Sequence, residues 1–272
     1  MTPKPYDHPS LKELGREVRK DVLVACERTF TGHVGSAFSV TEILAVLYEN
    51  IVRGMPSDDN RDRVILGKGH AAAVLYSLLL RTGRLDRDRY DSFAVDGTTI
   101  GHHPHLEPQI GLEANMGSLG HGLSIAAGIA YAAKIDQKAF RTFVVASDGD
   151  TNEGSLWEAA AFAGQHKLNN LCIIVDANGM QALGFTKDIV DQSALSNKFQ
   201  AFGWDARDID GHDTKALFST LTQIGSSDKP LAIVAHTIKG KGVSFMENNL
   251  LWHYRQPRGQ EFLDALKEVD NA

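Results

Sequence analysis

The chain has 272 residues, enough for one large α/β domain with a full core or for two small ones. Its 43% hydrophobic and 23% charged content is that of an ordinary soluble globular protein, and a formal net charge of −6 speaks against binding nucleic acid or an anionic membrane. No apolar run approaches spanning length, MTPKPYDHPS lacks the apolar centre of a signal peptide, and Cys26 and Cys172 read as buried free thiols, so a reducing cytoplasm is expected.

Leu11, Leu14, Val18, Val22 and Ala25 recur at helical spacing, which predicts an amphipathic helix over 10–30. A loop, TGHVGSAFS, follows. Ser39 and Glu42 have the spacing of a capping box ahead of Ile43, Leu44, Val46 and Leu47, so a second helix is expected there. Val64-Ile65-Leu66 reads as a short buried strand ending at Gly67-Lys68-Gly69-His70, and 71–82 as an apolar helix. Residues 94–118 carry many Gly and His with little periodicity, a loop of functional length. A small-residue helix spans 121–136, able to pack close to a sheet. Beyond the central unit described next come a loop (177–192), a helix (193–202), a strand (204–209), a helix (214–225) and a strand (230–236). A Gly-rich loop (239–257) and a helix (259–269) complete the pattern. The alternation predicts an α/β fold, a parallel sheet with helices on both faces.

Residues 142–180 form the most informative unit. A β-branched apolar run, Phe143 to Ala146, stops at Ser147-Asp148-Gly149-Asp150. A helix-like segment leads to a second run, Leu171 to Val175, which stops at Asp176-Ala177-Asn178-Gly179. Parallel strands joined by a right-handed crossover end on the same sheet edge, so Asp148 and Asn178 should face one crevice. A carboxylate, an amide oxygen and loop carbonyls suit a hard divalent cation such as Mg²⁺, and glycine turns beside a helix N-terminus suit a phosphate. Each residue alone also reads as a turn cap. Glu153 falls at the start of the helix, where a carboxylate meets the positive end of the macrodipole.

The chain holds 11 histidines, many of them beside glycine: His33, His70, His102, His103 and His121, with His253 after Trp252. A lone loop histidine is usually a surface residue; this many in Gly-rich loops suggest convergence on a polar pocket. No HExxH-type spacing occurs, which speaks against a metal held by protein groups alone. Imidazoles suit proton transfer and bonds to hydroxyls and phosphates. Met116-Gly117-Ser118-Leu119-Gly120-His121-Gly122 lets backbone approach a flat ligand, or is an ordinary helix-entry turn. In Thr237-Ile238-Lys239-Gly240-Lys241-Gly242 the Walker spacing is missing, and the lysines read equally well as solvated.

Together these motifs resemble the N-terminal, diphosphate-binding half of transketolases, with Asp148-Gly149 through Asn178 matching that family's GDG…N thiamine-diphosphate motif. The resemblance covers roughly residues 10–257 and implies a thiamine-diphosphate-binding fold, the PP domain, with 1–272 as a single domain and 258–272 as a short helical extension. It implies Mg²⁺ (with Ca²⁺ or Mn²⁺ as substitutes) on Asp148, Asn178 and the Met180 carbonyl. His70, Gly149 and His253 would contact the diphosphate, Gly117 and Leu119 the aminopyrimidine, and Glu153 would support the cofactor site. His33, His70, His103 and His253 would be catalytic, lining the substrate channel, with His102 the alternative to His103. The sequence departs from the family pattern in three places: Ser147 stands for the first glycine of GDG, Val34 for a proline, and His121 for a glutamine.

The family's pyrimidine-binding domain, with its activating glutamate, is not in this sequence. The chain therefore resembles the N-terminal subunit of a split, two-gene bacterial transketolase. The resemblance implies a C-terminal partner subunit, a heterotetramer with two copies of each chain, and transfer of a two-carbon ketol unit from a ketose phosphate to an aldose phosphate. The alternatives are a 1-deoxyxylulose-phosphate-synthase-like or 2-oxo acid dehydrogenase subunit, and a non-catalytic phosphate-binding module.

Overall fold

A computed structural model describes residues 3–272. The elements in chain order are α1 (His8–Thr29), α2 (Val34–Ser39), α3 (Thr41–Val46, continued by a π-turn, Leu47–Ile51), β1 (Arg63–Leu66), α4 (Ala72–Arg81), α5 (Arg87–Asp91), α6 (His121–Ile135), β2 (Thr142–Ser147), α7 (Gly154–Gln165) and β3 (Leu171–Ala177). There follow the small hairpin β4 (Met180–Gln181) and β5 (Gly184–Phe185), then α8 (Thr186–Ile189), α9 (Leu195–Ala201), β6 (Asp205–Asp210), α10 (Thr214–Leu221), β7 (Leu231–His236), α11 (Leu251–Tyr254) and α12 (Gln260–Asp270).

Among the described residues, five strands form a parallel sheet in the order β1-β2-β3-β7-β6. Strand period two divides its side chains between two layers. Val64, Leu66, Phe143, Val145, Cys172, Ile174 and Ile233 pack under α1 to α4 and α10. Ile65, Val144, Ala146, Ile173, Val175 and Val234 pack under α6, α7 and α9. Strands covered on both faces read as unbroken apolar runs, which is why β2, β3 and β7 stood out in the sequence. Ala265 and Val269 of α12 are buried in the first layer, so the C-terminal helix belongs to that core. No helix among the described residues is long and apolar enough to cross a membrane.

Two expectations need correction. Residues 34–39 are helical, entered through His33 in the left-handed region at φ 69°. The capping box does not form: Val40 occupies the N-cap of α3 without a side-chain bond. The Ser39 hydroxyl bonds the Ser36 carbonyl and Asp176, and Glu42 pairs with Arg19 and His212. Both side chains are drawn into tertiary contacts that outweigh a local cap. Cys26 and Cys172 are free and buried, and burial pushes both thiols up.

Candidate active site

Register places the strand exits side by side: Ser147 lies opposite Asp176, and Ala177 opposite His236. The turn after β2 therefore meets the turn after β3. Both Asp148 Oδ2 and Asn178 Oδ1 lie 3.1 Å from the Met180 N–H, so the two oxygens converge on one point. Thr186 Oγ1 donates to Asp148 Oδ2 at 3.2 Å. Burial, then the nearby Asp176, pushes the Asp148 carboxyl up to about 7. Neutral donors alone do not offset that burial; a divalent cation would. Among the described residues, no three His, Cys, Asp or Glu groups gather into a metal cluster. A cation here would rely on the carboxylate, the amide oxygen, main-chain carbonyls and oxygens of its ligand, a donor set that fits Mg²⁺.

Beneath this turn lies a pair the sequence reading did not single out. Lys68 and Asp176 are fully buried and in contact. Ser39 Oγ donates to Asp176 Oδ2 at 2.6 Å, the Thr237 hydroxyl donates to Oδ1, and Lys68 Nζ reaches the Ser36 carbonyl at 3.0 Å. Burial opposes the Asp176 charge, but Lys68 and these donors hold its carboxyl below the usual range. The network fastens β1, α2, β3 and the β7 exit to one another.

Three histidines meet above it. Ring centroids of His33, His70 and His253 lie 5.1 to 5.5 Å apart. The His33 N–H donates to the His253 carbonyl at 3.1 Å, which joins the start of α2 to α11. Lys239, 1% exposed, sits 2.8 Å from His253 Nδ1; with the ammonium donating, the His253 proton resides on Nε2. Burial, reinforced by neighbouring cations and imidazoles, lowers His33 to about 4, His253 to about 3 and His70 well below its ordinary value. Burial, then Lys68, lowers Lys239 to about 8. The pocket is thus neutral imidazole beside buried ammonium, an environment that favours an anion. The solvated reading of Lys239 is overturned; Lys241 is half-buried near Glu247.

His103 lies beside both glycine loops: a Cβ on Gly69 would sit 3.3 Å from its Cδ2, and one on Gly117 would sit 3.8 Å from it. His102 is exposed and packs toward Phe93 instead. His121 opens α6, is exposed, and does not join the histidine cluster. A Cβ on Gly117 would meet only that His103 ring, which leaves its backbone open to a flat ligand. A Cβ on Gly149 would sit 3.1 Å from Leu119 Cδ1, so the diphosphate-type turn and the Met116–Gly122 loop touch. Glu153 is exposed at the N-cap of α7 and makes no side-chain cap; it lies against Gly120.

Residues 12–268 match the family described as transketolase, thiamine diphosphate binding domain. The chain is 36% identical over 255 residues to an apulose-4-phosphate transketolase subunit of Phocaeicola vulgatus, covering 92% of this chain and 90% of that protein. It is 34% identical over 264 residues to a 6-deoxy-6-sulfo-D-fructose transketolase subunit of a Clostridium species, covering 96% of each. The crystal structure of a transketolase from Campylobacter jejuni superposes with a TM-score of 0.87 at 29% identity, over 97% of this chain but 43% of that one. The chain spans about two fifths of the solved transketolases it matches.

Proposed function

Starting from a chain that belongs to the transketolase family, in its thiamine-diphosphate-binding domain, we propose that it is the N-terminal subunit of a split, Mg²⁺-dependent transketolase. The observation that carries this reading is the junction of two half-sites: paired Asp148 and Asn178 oxygens on one side, and His33, His70, His253 and Lys239 on the other. Asp148, Asn178 and the Met180 carbonyl would hold the cation. His70, Gly149, His253 and Lys239 would hold the diphosphate, whose charge stabilises the buried ammonium. Gly117 and Leu119 would present backbone to the aminopyrimidine, with Glu153 supporting that loop from the α7 side. Thiamine diphosphate, when bound, supplies the carbanion chemistry that ketol transfer requires.

The chain's own residues bind, orient and move protons. His33, His103 and His253 are neutral at pH 7, so each can accept a proton from a sugar hydroxyl and return it. His253 is buried and His33 and His103 are half-buried, which limits the competition of bulk water for those hydrogen bonds. The substrates would be a ketose donor and an aldose acceptor, each bearing a terminal anion; that relatives are named for apulose-4-phosphate and for 6-deoxy-6-sulfo-D-fructose supports this class without choosing the sugar. A C-terminal subunit with the pyrimidine-binding domain would complete the cofactor pocket, in a cytoplasmic heterotetramer with two copies of each chain. Residues 1–272 would serve as one cofactor-binding domain with 258–272 as its extension.

Calorimetric titration with thiamine diphosphate, with and without Mg²⁺, tests the reading in the presence of the partner. Asp148→Asn and Asn178→Ala should each weaken Mg²⁺-dependent cofactor binding at least about tenfold, by loss of an oxygen ligand, with the fold intact by circular dichroism. Unchanged affinity in both variants would falsify the cation assignment.

A further inference from the structure

Among the family-pattern departures, Ser147 stands at the first position of the diphosphate-type turn, where the matching motif has glycine. Its partner explains what it does. Both the Ser147 N–H and its hydroxyl donate to Asp150 Oδ2, at 2.8 and 2.7 Å. The other oxygen of the same carboxylate, Asp150 Oδ1, accepts the Gly120 N–H at 2.8 Å. Asp150 is 1% exposed, and all three donors are uncharged. Gly120 has φ 81° and closes the loop that carries Gly117 and Leu119. One buried carboxylate thus spans two loops that are 30 residues apart in sequence at that bond. Leu119 also packs on Gly149, but that contact is apolar and undirected.

We infer that Ser147 and Asp150 form a positioning clasp that sets the Met116–Gly122 loop at a fixed height over the diphosphate turn, so that the two ends of the cofactor are registered to each other. The inference rests on the proposed function. Neither residue touches the reacting atoms; they act through Gly120 and the backbone of Gly117 and Leu119. The Ser147 hydroxyl supplies one of two donors to Oδ2. Without it the carboxylate is freer to rotate, and the Gly120 bond loosens with it.

The test uses two probes on the complex of this chain with its C-terminal partner: thiamine diphosphate with Mg²⁺, and pyrophosphate with Mg²⁺. Ser147→Ala should weaken thiamine diphosphate binding about fivefold, the worth of one hydrogen bond, while pyrophosphate affinity stays within about twofold. Ser147→Thr, which restores the hydroxyl, should recover the loss. In the free chain, hydrogen exchange at the Gly120 amide should accelerate about tenfold in Ser147→Ala, with the β3 amides unchanged. Equal loss for both probes would mean Ser147 only shapes the diphosphate turn, and unchanged affinity for both would mean the hydroxyl is idle; either overturns the clasp and leaves the functional reading standing. A wild-type complex that binds pyrophosphate but not thiamine diphosphate removes both.

Discussion

The Lys68–Asp176 pair governs the site at the scale of single residues, because it is fully buried yet closed on itself by Ser39, Thr237 and the Ser36 carbonyl. Breaking such a pair leaves a bare charge in the interior. Lys68→Met should therefore cost about 3–5 kcal/mol in urea unfolding, and the double change Lys68→Met with Asp176→Leu distinctly less, since no lone charge remains. The histidines set a pH dependence of defined sign. Burial depresses His33 from an ordinary value of 6.5 to about 4 and His253 to about 3, and holds His70 well below that ordinary value. Their contribution to stability is complete above pH 6.5 and is lost as pH falls through the folded values, because the unfolded chain takes up protons that the native rings refuse. Asp148, raised to about 7, acts in the opposite sense between pH 7 and 4. Three imidazoles outnumber one carboxyl, so the ligand-free chain should melt at lower temperature at pH 5 than at pH 7. Asp148→Asn should steepen that fall, and a flat melting profile from pH 7 to 5 would contradict the burial of the ring cluster. The histidines were legible in the sequence as a set converging on a polar pocket, and His33, His70 and His253 do meet; the buried lysine charges beside them were not. GKGH and TIKGKG are glycine-rich strings that look solvated; only the convergence of β1, β3 and β7 exits buries Lys68 and Lys239.

Elements were more legible than residues, for a physical reason. A sheet covered on both faces prints β-branched runs into the sequence, and long amphipathic helices print a 3.6-residue period. Hence β2, β3, β7, α1 and α6 were visible within a residue or two of their observed ends. Elements shorter than two turns print no period: α2, α8 and α11 fell in segments read as loops, and α5 in a stretch assigned to no element. The capping box failed because a short motif has no power to forbid tertiary partners, and Ser39 and Glu42 found better ones. The small-residue character of α6 had a correct consequence, close approach to the sheet. A Cβ on Gly122 would sit 3.0 Å from Gly67 Cα and 3.2 Å from Val144 Cγ2, whereas one on Gly128, further along the helix, would meet nothing within 4 Å. One substitution should thus have opposite signs in one helix. Gly122→Ala should destabilise by about 1–3 kcal/mol through overpacking. Gly128→Ala should stabilise by up to about 1 kcal/mol through backbone entropy. Equal effects in urea melts would mean that α6 does not lie this close to β1 and β2.

Large apolar side chains are exposed at several places on the surface, Phe30, Ile135 and Leu263 among them, and one group lies beside the candidate site. At the edge where the strands end, Leu183 is 84% exposed, and Phe185, Val190, Leu251 and Tyr254 are also exposed. They are not scattered. Leu183 joins β4 to β5, and Phe185 lies in β5, directly after the cation turn. The Tyr254 hydroxyl donates to the Ala182 carbonyl at 3.2 Å, which ties the segment carrying His253 to the same hairpin. Apolar side chains clustered beside a half-built polar pocket mark a surface meant to be covered. If the C-terminal subunit closes the cofactor site, it does so here, and the apolar rim supplies much of the binding energy while the cofactor bridges the two chains. Exposed side chains contribute little to the free chain, so Leu183→Ser with Phe185→Ser should change its melting midpoint by less than about 2 °C. The same pair should weaken association with the partner by about tenfold or more, since buried interfacial anchors are worth more than about 1 kcal/mol each. Thiamine diphosphate with Mg²⁺ should recover part of that loss, because a ligand held by both subunits binds the complex more tightly than either chain and by linkage stabilises it. Sedimentation of the mixed chains with and without cofactor measures both effects. Association that is indifferent to the double substitution would place the partner on another face and leave the hairpin without this role.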